Sequence, residues 1–213
     1  SNFEENLSKK SLKQPLLKIW NSIYPCIFGY KIKKSYIKSF QNRIINFKID
    51  DKNLNKTEKI SYDEIIEFGS IGSTQQFNAV LAYHIEKEEL LVIKKKNGIG
   101  NENDNLKKRE TENYKEISHP FVPKFYGTIK ESNDLVIEFI SGNTLDNIKS
   151  LHLDEKDKIN FILELILVFE YLQSKNFVYR DLKPNNILID ENKIAVLIDY
   201  DRMIKYSCSN NND

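Results

Sequence analysis

Cysteine is scarce in this chain: Cys26 and Cys208 stand far apart in 213 residues, with no C-x-x-C pair and no histidine at metal-ligand spacing. That excludes a disulfide framework and a zinc site, and it fits a reducing, cytoplasmic setting. Long apolar runs are missing as well. The longest, Ile19 to Tyr30, is interrupted by Asn21, Ser22, Pro25 and Gly29 and falls short of the roughly 20 residues of a membrane-spanning helix, so no transmembrane segment is expected. Net charge is nearly absent, with 32 Lys/Arg against 31 Asp/Glu. Methionine occurs once, at Met203, and the sequence opens on Ser1, as a piece of a longer product or a processed one would. Glycine is limited to 7 residues, a shortage felt in one loop below.

An apolar content of 40% is enough for one substantial domain or two small lobes. The balanced charge hides an asymmetry: residues 1–49 hold ten Lys/Arg against Glu4 and Glu5, leaving 22 basic against 29 acidic residues in the remainder. A basic arm can meet nucleic acid, anionic lipid or an acidic protein surface. Lys9, Lys13, Lys31, Lys34 and Lys38 are spread rather than clustered, which favours a solvated helical extension; a partner protein stays open there and nucleic acid is not expected. Between Ser11 and Phe47, Leu12, Leu16, Ile19, Trp20 and Ile23, then Ile37, Phe40, Ile44 and Phe47 recur at the spacing of amphipathic helices. Two helices broken near Pro25 are expected. Asp50 to Lys59 is polar and aperiodic and reads as a linker.

From Tyr62 onward the pattern changes. Ile65–Ile71, Ala79–Ile85, Glu89–Lys95, Phe121–Ile129 and Leu135–Ile140 read as strands, and Leu106–Ile117 as a helix after an Asn- and Gly-rich loop, Asn97–Asn105. Thr144 is placed to cap a short helix running to about Leu151, and Asp154 to cap a long one. In that long helix Ile159, Ile162, Leu163, Ile166, Phe169 and Leu172 cover more than one stripe, which demands partners on several sides, and Asn176 suits its end.

The chemistry is concentrated in YRDLKPNNILIDENKIAVLIDYD, Tyr179 to Asp201. It sets Asp181, Lys183, Asn186 and Asp199 at a spacing that suits phosphoryl transfer, in which one carboxylate orients an incoming hydroxyl while another carboxylate and an amide oxygen hold a divalent cation on the phosphates. The stretch resembles the catalytic loop H-R-D-L-x-x-x-N of the protein kinase superfamily, with Tyr179 for the His, followed by a D-F-G-like Asp199-Tyr200-Asp201. Lys183 before Pro184 is similar to Ser/Thr-directed kinases, and the overall likeness is to the tyrosine-kinase-like group.

This resemblance implies an α+β, two-lobed fold. Residues 61–140 would form a five-stranded antiparallel small lobe with one helix, ending in a hinge, and residues 141–213 an incomplete helical large lobe, after a helical extension (1–50) and a linker (51–60). It implies ATP and Mg2+, and a protein Ser/Thr hydroxyl as acceptor. Carried over residue by residue, Asp181 orients the hydroxyl, Lys183 steadies the γ-phosphoryl, and Asn186 and Asp199 bind magnesium. Lys94, at the end of LLVIK, would meet the α- and β-phosphates and pair with Glu110, in preference to Glu112 or Glu116. Ile71 and Gly72 would lie over the nucleotide, Ala79, Val92 and Leu188 around the adenine with Ile137 behind it, and Glu138 and Ile140 would offer hinge backbone. Phe125, Tyr114, Tyr200 and Tyr179 would stack as a regulatory column. His119 reads as a loop residue.

Three departures accompany the resemblance. An ungapped count back from Lys94 puts the three glycines of the phosphate-covering loop at Gly72, Thr74 and Phe77, so one survives; a register using Gly69 and Gly72 needs an insertion. Val92 replaces a smaller residue. Asp201 stands in place of a glycine, adding a carboxylate near the metal. A pseudokinase or ATP-binding interaction module is therefore the rival expectation, while a small-molecule kinase is disfavoured by the Arg-Asp-Leu-Lys sequence. Twelve residues follow Asp201 without an A-P-E-like motif, so the chain reads as truncated within the activation segment, binding ATP but phosphorylating protein poorly.

Overall fold

Leu91, Val92 and Ile93 are consecutive and all buried. In a strand this means that both faces of the sheet are covered, because successive side chains point to opposite sides. The computed structural model describes residues 58–97, 101–150 and 153–206; the expected helices between Ser11 and Phe47 and residues 51–57 of the expected linker lie outside them. The described strands are β1 (Glu58–Ile60), β2 (Ile65–Ser73), β3 (Phe77–His84), β4 (Glu89–Lys96), β5 (Phe125–Ile129), β6 (Leu135–Glu138), β7 (Gly142–Thr144), β8 (Phe177–Val178), β9 (Ile187–Asp190), β10 (Ala195–Leu197) and β11 (Ile204–Lys205). The α-helices are α1 (Asn101–Glu116) and α2 (Glu155–Ser174). No helix among the described residues is long and apolar enough to cross a membrane.

The small lobe is a sheet in the order β1-β5-β6-β4-β3-β2. Leu91 and Ile93 face one apolar cluster with Ile60, Val80, Tyr126 and Val136, while Val92 faces a second, larger cluster that continues into the large lobe through Phe161, Leu167, Tyr179 and Tyr200. The five expected strands are present and antiparallel. A sixth, β1, corrects both the five-strand expectation and the end of the expected linker, since it pairs in parallel with β5. Ile60 is fully buried there and closes the outer cluster. The pairing needs Gly127: at φ +144°, any Cβ would stand 2.1 Å from the Glu58 carbonyl oxygen. Two boundaries also move. β5 starts at Phe125, because residues 121–124 turn to let Phe121 accept from Leu197 N at 2.9 Å, and α1 starts at Asn101 rather than Leu106.

In the large lobe, Asp154 caps α2 by accepting from Asp157 N at 2.7 Å, and Asn176 at φ 63° takes the left-handed turn that ends it. The demand for partners on several sides is met. Phe161, Leu163, Leu167, Val168 and Leu172 are buried, and Ile162 alone of the helix's large apolar residues is strongly exposed. Glu164 is buried mid-helix and accepts from Ala195 N at 2.7 Å, fixing β10 against α2. β7, β9 and β10 form a small sheet under the cleft, and Leu145–Ser150 is a 3-10 helix that follows Thr144, itself the last residue of β7.

His119 lies between the rings of Phe121 and Tyr171 and accepts from Phe121 N at 3.2 Å. Burial lowers its pKa from 6.5 to about 3. The unfolded chain therefore binds a proton that the folded chain refuses between those two values, and stability should fall as pH drops through that window, with a slope of up to about 1.4 kcal/mol per pH unit from this residue. Urea unfolding between pH 7 and 4 should show a shallower slope in His119→Gln; an unchanged slope would remove His119 as its source.

Candidate functional site

Near its end, β4 carries Lys94 on the cleft face. The register places Ala79 and Leu135 opposite Lys94 and Ile137 opposite Val92, so these side chains share the sheet face turned to the large lobe. The Lys94 ammonium lies 2.7 Å from both carboxylate oxygens of Glu110, on α1, and 3.0 Å from Asp199 Oδ1. Glu112 and Glu116 pair elsewhere, with Lys115 and Lys205. Burial alone would lower the pKa of Lys94, but the charges of Glu110 and Asp199 and their hydrogen bonds outweigh it and raise the pKa above its ordinary value. Burial pushes Glu110 upward against the pull of Lys94. Both of its oxygens accept from that ammonium.

The second group lies on the loop between β8 and β9. Asp181 Oδ2 accepts from Lys183 Nζ at 2.8 Å and from Asn186 Nδ2 at 2.9 Å, while Asn186 Nδ2 also reaches the Asp181 carbonyl. Partial burial raises the Asp181 pKa, but these donors and the charge of Lys183 hold it below the usual carboxylate range. Two residues here carry left-handed backbone, Arg180 at φ 68° and Asp199 at φ 66°, a conformation that non-glycine residues hold only when the surroundings impose it. Those surroundings are visible: Arg180 Nε donates to Arg202 O at 2.9 Å, and β8 pairs with β11. Tyr179, standing for the expected His, donates its hydroxyl to Ile198 O and so ties the loop to the residue before Asp199.

The two groups meet. Carboxylate oxygens of Asp181, Asp199 and Asp201 lie within 4.8 Å of one another. The stacked column is also present: Tyr114 sits 6.1 Å from Phe125 and 5.2 Å from Tyr200, and Tyr200 sits 5.3 Å from Tyr179, between ring centroids. Glu138 and Ile140 flank the passage from β6 towards β7, with Glu138 N bound to Lys124 O at 2.9 Å. Leu188 is not brought into the cluster of Val92 and Ala79; half-buried on β9, it points away from Ile187 and Ile189, which do join it. Ile71 is exposed on β2, and Gly72 lies beside a bulge in the β2–β3 pairing. The turn between these strands is closed on itself. Thr74 Oγ1 accepts from Gln76 N at 3.3 Å and Phe77 N at 3.0 Å, occupying amides that a glycine-rich loop would leave to a phosphate.

Residues 65–212 match the model of the protein kinase domain family. The chain belongs to that family. Relatives include the cAMP-dependent protein kinase type 3 of Saccharomyces cerevisiae, 36% identical over 39% of this chain and 22% of its own length. The serine/threonine-protein kinase OXI1 of Arabidopsis thaliana is 32% identical over 52% of this chain and 28% of its own. The cGMP-dependent protein kinase of Plasmodium berghei is 37% identical over 54% of this chain and 13% of its own. This chain thus spans under a third of the length of each.

The kinase domain also uses residues that motif reading passed over. Asn113, buried on α1, donates through Nδ2 to Tyr200 O at 2.7 Å and Met203 O at 3.0 Å. It locks the segment carrying Asp199 to the helix carrying Glu110. Its signal in the sequence is faint: a polar residue three positions after Glu110, on the same helical face.

Proposed function

We propose that this kinase domain transfers the γ-phosphoryl of ATP to a Ser or Thr hydroxyl of a protein. The observation that carries the reading is the meeting, in one cleft, of the Lys94–Glu110–Asp199 ion cluster with the Asp181–Lys183–Asn186 hydrogen-bond cluster. Lys94 binds the α- and β-phosphates from a position fixed by Glu110. Asp181, kept anionic by its two donors, orients the acceptor hydroxyl and takes its proton. Lys183 lies next to Asp181 and neutralises charge on the moving phosphoryl group. Most of the rate then comes from positioning and charge neutralisation. The oxygen donors of Asp199 and Asn186 suit a hard cation; magnesium held there, when bound, neutralises charge on the phosphate oxygens. Ala79, Val92 and Ile137 form the apolar wall for the adenine, with the backbone of Glu138 and Ile140 at its edge, and Ile71, Gly72 and Leu188 more peripheral.

An interaction module without turnover is not favoured, since each group needed for phosphate, metal and hydroxyl is retained. The low cysteine content supports a cytoplasmic setting, and the basic residues 1–49 support an acidic partner surface for that segment. The test is a thermal-shift titration. ATP with Mg2+ at a hundredfold excess over Kd should stabilise the chain by about 2.7 kcal/mol, roughly 5–10 °C in Tm, and ATP without Mg2+ by clearly less. An unchanged Tm under both conditions would refute nucleotide binding.

A further inference from the structure

Asp201 is the one acidic residue of the cleft that the kinase reading leaves without a task. It is 6% exposed, and its Oδ1 has no hydrogen-bond partner among the described residues. A buried carboxylate oxygen in that state carries an uncompensated desolvation cost, so its retention needs a reason. One of its carboxylate oxygens stands within 4.8 Å of those of Asp181 and Asp199. Two oxygens bound to one hard cation, each at about 2.0–2.6 Å, are no more than about 4–5 Å apart, so the spacing is that of a shared ion. Both ammonium groups of the cleft are already committed, Lys94 to Glu110 and Asp199 and Lys183 to Asp181.

We propose that Asp201 is a third protein ligand of the divalent-cation site, beside Asn186 and Asp199, so that the site takes up a cation before nucleotide arrives. The proposal rests on the reading of those two residues given above. A Mg2+ site with one or two carboxylates completes its shell with water and substrate phosphates, and affinity for a hard cation rises with the number of charged ligands. Asp201 supplies within the protein a charge that the nucleotide would otherwise bring. Its placement is rigid: Asn113 holds the carbonyls of Tyr200 and Met203 on either side, and the left-handed turn at Asp199 folds the chain so that residues 199 and 201 both border the cleft. Asp181 adds charge at the edge of the site and keeps its own bonds to Lys183 and Asn186.

The test uses Mn2+ alone, without nucleotide, titrated into the full chain by calorimetry and followed by electron paramagnetic resonance, with Mg2+ as competitor. Wild type should bind one Mn2+ that Mg2+ displaces. Asp201→Asn, which keeps the shape, and Asp201→Gly, which removes every donor atom, should each weaken it about tenfold or more. Thermal unfolding without metal is the folding control for both. Equal Mn2+ affinity in wild type and either folded variant overturns the proposal, as does a wild type that takes up no Mn2+. If Mn2+ alone fails to bind while ATP with Mg2+ still raises Tm, the third ligand is wrong and the kinase reading stands. If Asp201-dependent Mn2+ binding is present and ATP has no effect, the cation site stands and the nucleotide reading falls.

Discussion

Lys94→Ala is expected to lower ATP affinity by about 10- to 100-fold, the loss that follows from removing a charge-assisted bond of about 1.5–3 kcal/mol to phosphate. The same change should destabilise the domain itself. Lys94 is the ammonium between Glu110, which is 1% exposed, and Asp199. Its removal leaves buried carboxylate charge without a partner, a defect that costs about 3–5 kcal/mol in comparable pairs. The two effects separate on a second substitution. Glu110→Gln in the Lys94→Ala background removes the orphaned charge and should recover part of the lost stability, while ATP affinity stays low because the phosphate ligand is still missing. Calorimetric titration with ATP and Mg2+, beside urea unfolding of the single and double variants, reads both quantities. Wild-type ATP affinity in Lys94→Ala would remove the residue from the phosphate site, and full stability in the single variant would mean that Glu110 and Asp199 find other partners.

The catalytic loop could be read from the sequence because its chemistry is local. Asp181, Lys183 and Asn186 lie within six residues of one another and are already hydrogen-bonded as a group. The Lys94–Glu110 pair was also legible, although sixteen residues separate its partners, since a lysine ending an apolar strand and a glutamate on the next helix are both conspicuous. What escaped reading depends on contacts between distant segments. β1 is three residues with polar flanks, and only the bare Gly127, under the Glu58 carbonyl, makes room for it. Thr74 reads as a lost glycine, yet its hydroxyl rebuilds the turn by taking two amides. Asn113 and Glu164 are polar residues of ordinary helices until their partners, the carbonyls of Tyr200 and Met203 and the amide of Ala195, are known. Leu188 stands on the opposite face of β9 from Ile187 and Ile189, the two that join the cluster of Val92.

Asp181→Asn is expected to slow γ-phosphoryl transfer by about 10²- to 10⁴-fold, the range for loss of a positioned general base, while leaving nucleotide affinity within about twofold. The asymmetry follows from the contacts. Asp181 is bonded to Lys183 and Asn186 and not to Lys94 or Glu110, so the group proposed to bind phosphate is undisturbed. The amide has the same shape and can still accept from Lys183 through its oxygen, which preserves the fold and makes the comparison one of chemistry alone. It cannot carry the negative charge that draws the proton from the attacking hydroxyl. The direct measurement uses γ-labelled ATP with Mg2+ and the full chain, wild type beside Asp181→Asn, scoring label transferred to a Ser/Thr peptide and phosphate released to water. Measurable Mg2+-dependent transfer by wild type, with the variant binding ATP normally and at least a hundredfold slower, is the predicted result. Equal rates in the two proteins, or no transfer by wild type to either acceptor, would contradict it.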